Sequence, residues 1–504
     1  MSPELLLAFV IGYFVLLLVV AYYTSRNATN DSFFIGNKSS NWMVVAFGMI
    51  GTSLSGVTFV SVPGAVGKPL LTTAGQPVVP AGFEAFTYFQ ITFGYVIGYL
   101  VIAYVLLPLY YKLNLTSIYN YLSTRLGFVS YKTGASFFIL SRTLGATARL
   151  YLVVAILQDA ILSSYGIPFW LTTLVILLMI LIYTYEGGVK TIVWTDMLQT
   201  TCMLAGLVIC VIYILNKMDL SFGDGLNQLK QSGFSNIIIS DPNSRLFFLK
   251  QILAGAFITI TMTGLDQEMM QKNISVKTLK DSRKNMITFS LIQAAVVLLF
   301  LFLGGLLYLY AANNGIAAKP DRLFPTIALS SGVPSIISVI FIIALISALF
   351  PSADGAITAL TSSFCIDILG IKRNETLNDR QKSRIRKSVH LTFAAVFLVF
   401  VMMFKFINSS SMIGVILKVA TYTYGPLLGL FAFGILTRRM VTDRFVPLIA
   451  VLAPTICFIL DTYQKQIFGR FEIGLELIII NGLLTFLGLM IISRPSATLQ
   501  PTSV

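Results

Sequence analysis

The stretch WMVVAFGMIGTSLSGVTFVSVPGAV, from Trp42 to Val66, is long and apolar enough to cross a bilayer, yet it is interrupted at its centre. The interruption is Gly-Thr-Ser-Leu-Ser-Gly, Gly51 to Gly56, whose glycines and hydroxyl side chains favour an unwound backbone. A hydrocarbon core tolerates freed carbonyls only where they line a protein-enclosed cavity or hold an ion. The pattern is typical of secondary transporters, and the alternative it leaves open is a glycine-rich packing face between helices.

Composition places the chain in a membrane. It has 504 residues, of which 56% are hydrophobic and 11% are charged, whereas soluble domains carry about 25% charged residues. The first apolar stretch, 5–22, follows Glu4 without a basic region or a small-residue cleavage site, so we expect a retained span and not a signal peptide. The four cysteines lie in or beside apolar segments, which predicts neither disulfides nor a zinc site.

Long apolar segments recur along the whole chain. We expect about thirteen transmembrane helices, and therefore an all-α polytopic membrane protein. Residues 1–504 are expected to form a single transmembrane domain. The expected spans are 5–23, 42–66, 81–108, 133–161, 169–185, 192–215, 247–269, 286–311, 335–368, 388–406, 412–436, 445–463 and 474–492.

The lysines and arginines indicate the orientation. Of these 35 residues, 22 fall in segments on the side of residues 24–41, ten fall on the opposite side and three lie within spans. By the positive-inside rule, we expect a multi-pass protein of the cell (inner) membrane with its N-terminus outside and its C-terminus in the cytoplasm. The net charge of +14 is thus a topology signal. Nucleic-acid binding is not predicted, because no clustered basic face with readout residues is evident.

Three cations lie within predicted spans: Arg142, Arg149 and Lys418. A cation at the bilayer centre costs at least about 2.5 kcal/mol, so each should face a cavity or a counter-ion. The two arginines are seven residues apart and therefore share one helix face. The residues alone leave two interpretations of Arg149 open: a structural ion pair, or a guanidinium clamp for a substrate carboxylate.

Two acids within the predicted spans are candidates for binding a cation. Asp196 opens the sixth span and Asp354 lies in the ninth, at similar depth in the expected cytoplasmic half. A carboxylate at that depth is explained by a bound cation or a proton, so the two acids form a candidate second cation site. For Asp196, pairing with a basic residue at the cytoplasmic rim is an equal alternative. Asp266 and Glu268 are expected at the membrane interface.

Five motifs along the chain match a known family: DSFFIGN (31–37), YEGGVKTIVWTDMLQ (185–199), GLDQEMMQK (264–272), DRLFP (321–325) and YGPLLG (424–429). The glycine pair followed by Trp-Thr-Asp and Gln is the specific one, and each of the others is weak on its own. On these residues the chain resembles the sodium/solute symporter family over nearly its whole length.

The resemblance implies a LeuT-like fold of two inverted five-helix repeats, here near 42–215 and 247–436. An extra N-terminal helix at 5–23 and two C-terminal helices at 445–492 would flank them. The implied function is a sodium-coupled symporter that imports a small organic solute by alternating access. The expected partners are the solute, sodium as the coupling ion and the lipid bilayer; no enzyme activity, catalytic residue or cofactor is expected.

In this family a sodium ion is held by two carbonyls of the broken helix, with a carbonyl and two hydroxyls of the eighth core helix. The matching candidate ligands are the carbonyls of Gly51, Leu54 and Ala348 and the hydroxyl of Ser352. The second hydroxyl position falls on Pro351, which has no side-chain oxygen, so the usual five ligands are not all expected. The nearby Asp354 offers a hard oxygen in compensation.

The site is most similar to that of the sodium/sialic acid symporters. These hold a second sodium with the aspartate of the Trp-Thr-Asp block, here Asp196, and with serines whose positions fall on Pro351, Asp354 and Gly355. They hold the substrate carboxylate with a serine, a threonine and an arginine, and the matching residues here are Ser55, Thr58 and Arg149. We therefore expect a carboxylate-bearing solute, such as sialic acid, another organic acid or an amino acid.

Two other functional classes stay open. A transporter of a neutral sugar or polyol would leave Arg149 as a structural ion pair. It is less favoured because Val57 and Thr58 stand where sodium/galactose symporters carry amides and an acid, and Met262 stands at the position of their gating aromatic. A non-transporting sensor or channel on the same scaffold is less favoured still. An enzyme is not predicted, since the sequence has no P-loop, catalytic triad or metal-ligand cluster.

Overall fold

The computed structural model describes residues 3–25, 40–67, 84–115, 117–407 and 411–495, without the side chains of 3, 25 and 185–190. The motif at 31–37 lies outside the described residues. The described chain is almost entirely helical. Its α-helices are α1 (Pro3–Ser25), α2 (Trp42–Gly64), α3 (Tyr88–Val101), α4 (Leu107–Lys112), α5 (Asn120–Arg125), α6 (Phe128–Leu157), α7 (Phe169–Lys217), α8 (Phe222–Gln231), α9 (Phe248–Thr259), α10 (Gln267–Ile274), α11 (Leu279–Asn313), α12 (Pro320–Ala328), α13 (Ser335–Ser363), α14 (Asp379–Phe404), α15 (Met412–Thr423), α16 (Gly425–Leu436), α17 (Val446–Thr462), α18 (Gln464–Phe468) and α19 (Leu477–Ile491).

Short irregular elements join or extend these helices. Helices α3, α6, α9 and α13 each continue into one π-helical turn: Ile102–Leu106, Gln158–Leu162, Ile260–Gly264 and Phe364–Ile368. Single 3₁₀ turns lie at Ser163–Tyr165 and Asp443–Phe445. Two-residue strands β1 (Met440–Val441) and β2 (Ser493–Arg494) pair antiparallel. The predicted all-α class therefore describes the fold.

Nine of the described helical stretches are long and apolar enough to cross a membrane, and the number rises to eleven if each of two bent helix pairs counts as one span. Two further apolar helices, Phe169–Thr184 within α7 and Leu477–Ile491, are shorter. The polytopic membrane class is confirmed. The count of thirteen spans stays a prediction.

Helix α2 is broken in the middle of its span. It begins at the Asn41 cap, whose side-chain oxygen accepts the Met43 N–H at 2.9 Å. Ser55 is its one residue with non-helical torsions, φ 35° and ψ 165°. A positive φ at a residue with a side chain costs about 1–3 kcal/mol and persists only where the surroundings impose it. The interruption that the sequence predicts is therefore present, at a fully buried residue.

A second break lies between α9 and α10. The stretch Phe248–Gly264 and helix Gln267–Ile274 are bent by 67° to each other. Asp266 begins the second helix, because its side chain accepts the N–H groups of Glu268 and Met269. The sequence predicts a span over 247–269 but does not predict this break within it. Both expected repeats begin with an interrupted helix, although their limits stay a prediction.

Two other spans differ from the sequence expectation. Residues 412–436, expected as one span, form α15 and α16, which meet at 45° beside Tyr424. In contrast, the spans expected at 169–185 and 192–215 belong to one helix, α7, of 49 residues. The intervening Gly187 and Gly188 only weaken a helix, and no proline follows to end it.

Helices α3 and α9 pack backbone to backbone through two glycines. A Cβ atom added to Gly94 would lie 2.1 Å from the Ile252 carbonyl oxygen and 2.8 Å from the Gly255 Cα. A Cβ added to Gly255 would lie 2.3 Å from the Ile91 carbonyl oxygen. In a membrane, where helix association depends on close packing, small residues of this kind permit the contact.

We expect Gly94→Ala to destabilise the protein, because the new methyl group meets backbone atoms that cannot rotate away. Overpacking of this kind costs typically about 1–3 kcal/mol. The measurement is the thermal unfolding midpoint of the purified protein in detergent. Gly12→Ala in α1 is the matched control, since a Cβ there would meet no atom within 4 Å. Equal midpoints for the two variants would contradict the close approach.

Candidate functional site

The helix break at Ser55 opens onto a buried cavity of about 90 Å³. Helices α2, α3, α6, α9, α11 and α15 and the π turn after α9 supply most of its wall. Its polar lining residues include Ser55, Thr58, Tyr99, Arg142, Arg149 and Gln293. The three residues predicted to bind the substrate carboxylate thus lie in one cavity. They come from two helices that are far apart in sequence.

The two arginines of α6 lie in different environments. Arg142 is buried and forms ion pairs with Glu268, at close range, and with Asp266, at 3.9 Å. Arg149 is only half-buried. Among the described residues, no carboxylate oxygen lies within 4.0 Å of its guanidinium group. Arg142 is therefore held by structural ion pairs, whereas Arg149 lines the cavity without a described carboxylate at ion-pair distance.

A polar strip from α3 and α11 forms another part of the cavity wall. The Tyr99 hydroxyl donates to Gln293 Oε1 at 2.6 Å, and the hydroxyls of Tyr88 and Tyr95 are 3.4 Å apart. The sequence analysis missed these residues. The signal was the spacing of Tyr88, Tyr95 and Tyr99, which puts three tyrosines on one face of an apolar helix. Met262 also lines the cavity.

The predicted sodium ligands lie where α2 meets α13. The Ser352 hydroxyl donates to the Leu349 carbonyl at 2.8 Å. A Cβ added to Gly51 would lie 3.5 Å from Pro351 Cγ, and one added to Gly56 would lie 3.6 Å from the Leu349 backbone. The turn of α13 that contains Ala348 and Ser352 therefore packs against the broken part of α2, which contains Gly51 and Leu54. Their role as ligands stays a prediction.

Asp196 is fully buried and has a cationic partner. Its Oδ2 accepts from Lys272 Nζ at 2.7 Å and from the Thr52 hydroxyl at 3.1 Å. Lys272 Nζ also donates to the Thr52 hydroxyl at 2.6 Å and lies 3.5 Å from Glu268 Oε1. Asp196 therefore has a basic partner, Lys272, which is the alternative that the sequence left open for it.

The burial of Lys272 corrects two expectations. The sequence predicts that Lys272 lies in a loop and that Asp266 and Glu268 lie at the membrane interface. All three side chains are buried, with exposures of at most 3%. The reason is the 67° bend, which carries α10 back into the protein between α2, α7 and α13.

Asp354 is as buried as Asp196 but has no cationic partner. Its carboxylate accepts from the Tyr183 hydroxyl at 2.7 Å and from the Gly355 N–H at 2.5 Å. No lysine or arginine nitrogen lies within 4.0 Å of it in the described part of the chain. The charged groups that face it are Asp196, Lys272 and Glu268.

The buried charges around the break do not cancel. The cluster contains two cations and four acids: Arg142, Lys272, Asp196, Asp266, Glu268 and Asp354. An ionised carboxylate in a low-dielectric interior is stable only if it is paired, and otherwise it takes up a proton. The excess of acids therefore favours the uptake of a cation or a proton, and Asp354 is the acid of this cluster that forms no ion pair with a described residue.

The third intramembrane cation predicted from the sequence is not buried. Lys418 forms an ion pair with Asp461 at 2.8 Å, and its side chain is 60% exposed. It lies at a separate cavity of about 350 Å³ between α15 and the segment 461–477. It therefore needs no ligand to compensate its charge.

Known proteins share the sequence and the fold. The model of the sodium:solute symporter family matches residues 33–443. The sodium/sialic acid symporter SiaT of Proteus mirabilis is 25% identical over 478 residues, which cover 88% of each chain. The sodium-coupled monocarboxylate transporter 1 of Xenopus laevis is 26% identical over 86% of this chain and 66% of its own length.

Two solved structures show the fold. A sodium-coupled sialic acid symporter in a substrate-bound outward-open state matches with a TM-score of 0.79 and 20% identity, over 96% of this chain and 97% of its own. Mhp1, a nucleobase-cation-symport-1 family transporter in a closed conformation, matches with a TM-score of 0.54 and 13% identity, over 92% of this chain and 95% of its own. The architecture is thus that of known helical transporters.

Proposed function

Because the chain belongs to the sodium:solute symporter family, we propose that it is a symporter that imports a carboxylate-bearing solute together with sodium. Family membership confirms the resemblance seen in the sequence. Sodium-coupled symport of a solute follows from that membership. The carboxylate is the part that we infer. The observation that carries it is Arg149, a cation in the cavity wall with no carboxylate partner among the described residues.

A carboxylate is the ligand that this part of the cavity suits best. The guanidinium fork can bind both oxygens of a carboxylate at once. Ser55 and Thr58, in the wall of the same cavity, supply two hydroxyl donors. The half of α2 that begins after Ser55 adds the positive end of its helix dipole, which favours a negative group.

The size of the cavity favours a small solute. The cavity measures about 90 Å³, on a scale on which one water molecule needs about 10–15 Å³. Cavities for drug-sized ligands measure about 300–1,000 Å³. In this conformation a short organic acid or an amino acid fits better than sialic acid.

The neutral sugar alternative has less support. It requires Arg149 to be held by an intramembrane acid, and the acids nearby are engaged by Arg142 and Lys272 instead. Tyr99 and Gln293 could bind a sugar hydroxyl. A neutral sugar, however, would not compensate the charge of the Arg149 guanidinium group. A sensor or channel likewise gives no role to a cation in the cavity wall that has no carboxylate partner among the described residues.

We place sodium at the contact between α2 and α13. The carbonyls of Gly51, Leu54 and Ala348 and the hydroxyl of Ser352 are its proposed ligands. The break at Ser55 supports this, since it takes carbonyls of the preceding turn out of the regular helical pattern. Asp354 lies two residues beyond Ser352 and provides a second cation or proton position. Asp196, its predicted companion, already contacts Lys272.

The proposed orientation follows the positive-inside rule. The N-terminus would lie outside the cell membrane and the C-terminus in the cytoplasm. The cavity at Ser55 would then open to each side in turn as the two repeats rock against each other.

We expect Ser352→Ala to raise the sodium concentration that gives half-maximal uptake, because one ligand of the ion is lost. Uptake is measured in proteoliposomes under a sodium gradient. Ser362→Ala is the matched control: it lies in the same helix and its hydroxyl makes the same kind of bond, to the Thr358 carbonyl at 2.8 Å. Equal sodium dependence of both variants, or uptake driven by protons alone, would refute the assignment.

We expect Arg149→Ala to weaken solute binding by roughly thirtyfold or more, since removing one partner of a buried charge pair costs about 2–5 kcal/mol. Arg149→Lys should also bind weakly, because lysine lacks the bidentate fork. The measurement is a panel of labelled acids, their esters and amides, and neutral sugars. The loss from esterification and the loss from the mutation should not add, because both remove the same contact.

Arg470→Ala, which changes an exposed arginine, is the control for this experiment. If a neutral sugar is the preferred solute, or if purified Arg149→Ala binds the acid normally, the carboxylate clamp is wrong. If Arg149→Ala instead lowers the yield of folded protein, and uptake of every solute falls alike, the structural interpretation of Arg149 is right.

We expect Asp354→Ser and Asp354→Asn to change the charge moved per solute, or the pH dependence of uptake, more than the affinity for solute. The reason is that Asp354 is the one acid of the buried cluster around the break that forms no ion pair with a described residue. Tyr183→Phe is the control, because it removes the 2.7 Å hydrogen bond and leaves the carboxylate charge. Unchanged current, pH profile and sodium dependence in both Asp354 variants would make the residue structural.

A further inference from the structure

The surroundings of Lys272 Nζ have the character of a cation site. Three oxygens lie near it: Thr52 Oγ1 at 2.6 Å, Asp196 Oδ2 at 2.7 Å and Glu268 Oε1 at 3.5 Å. All four side chains are buried, with exposures of at most 3%. The ammonium group donates hydrogen bonds to the first two oxygens, while Glu268 Oε1 contributes its negative charge as an ion-pair contact.

We propose that the Lys272 ammonium group occupies the cation position at Asp196, so that no sodium ion binds there. A tethered cation and a free sodium ion cannot share one carboxylate oxygen, because like charges at contact distance repel strongly in a low-dielectric interior. Asp196 Oδ1 has no hydrogen-bond partner, but one oxygen is too few for a hard cation, which needs several oxygen ligands.

The position of Lys272 is held by a second ion pair. Glu268 lies between Lys272 and Arg142, and Arg142 also contacts Asp266. A chain of alternating charges therefore runs from the cavity wall at Arg142 to Asp196 on α7. The Lys272 ammonium group is thus held between Asp196 and Glu268. It stays in place while sodium and solute are transported.

The consequence concerns the number of ions bound. Asp196 and Asp354 together suggest two cations, but Lys272 neutralises the first acid permanently. Only Asp354 then needs a mobile cation or a proton. Removing the lysine charge should vacate the position at Asp196, and a sodium ion should then bind in its place.

The test counts sodium ions on the purified protein by equilibrium binding of radioactive sodium, and it needs no knowledge of the solute. We expect Lys272→Gln to bind one more sodium ion than the unaltered protein. The double variant Lys272→Gln/Asp196→Asn should lose that extra ion again. Lys280→Gln, which neutralises an exposed lysine nearby, should leave the number unchanged.

Asp196→Asn alone keeps the experiment decisive if Lys272→Gln does not fold. With Lys272 in place, Asp196→Asn should bind as many sodium ions as the unaltered protein. A lost ion in Asp196→Asn, or an unchanged number in folded Lys272→Gln, would overturn the proposal. Neither outcome bears on whether the solute carries a carboxylate, so the two proposals can fail separately.

Discussion

The interruption of α2 at Ser55 is the constraint on which the rest of the site depends. Inside a membrane, a backbone that leaves its helical pattern is stable only where protein surrounds it. Here α6, α7 and α13 do so, and they approach closely because Gly51 and Gly56 have no side chains: a Cβ on either would lie 2.4 Å from a side-chain atom of α7 or α6. The same helices supply Arg149, Asp196 and Ser352. The packing that encloses the break is therefore the same packing that assembles the site.

The buried charges tie the two broken helices together. Lys272, on the helix after the second break, bonds to Thr52, one turn before the first break. It also bonds to Asp196, while Glu268 joins Lys272 to Arg142. A buried pair loses much stability when only one partner is removed, so these groups hold the two interruptions at a fixed separation. Arg149 stands outside the chain of pairs, and for that reason its charge is left for a ligand.

Much of this arrangement could be predicted from the sequence, and the rest could not. The break was predictable because glycines and hydroxyl residues interrupt an apolar run, and Arg149 and Asp354 because an isolated charge in a span is costly. The burial of Lys272 was not predictable by counting spans, since a span that ends near 269 places residue 272 in a loop. The 67° bend decides its location, and Gly264 and the Asp266 cap were the local signals of that bend. The continuous α7 also escaped prediction, because two adjacent glycines favour a break without requiring one.

On the proposed assignments, coupling between sodium and solute has an electrostatic origin. The ligand-free site has two charges of opposite sign that form no ion pair among the described residues, the guanidinium of Arg149 and the carboxylate of Asp354. A solute anion compensates the first and a cation compensates the second. Either ligand alone leaves one charge unpaired in a low-dielectric interior, where closing the protein around it is most costly. Binding both removes that cost, so each ligand raises the affinity for the other by the same factor, as linkage requires. Lys272 sharpens this coupling, because a neutralised Asp196 cannot attract a sodium ion that arrives without the solute.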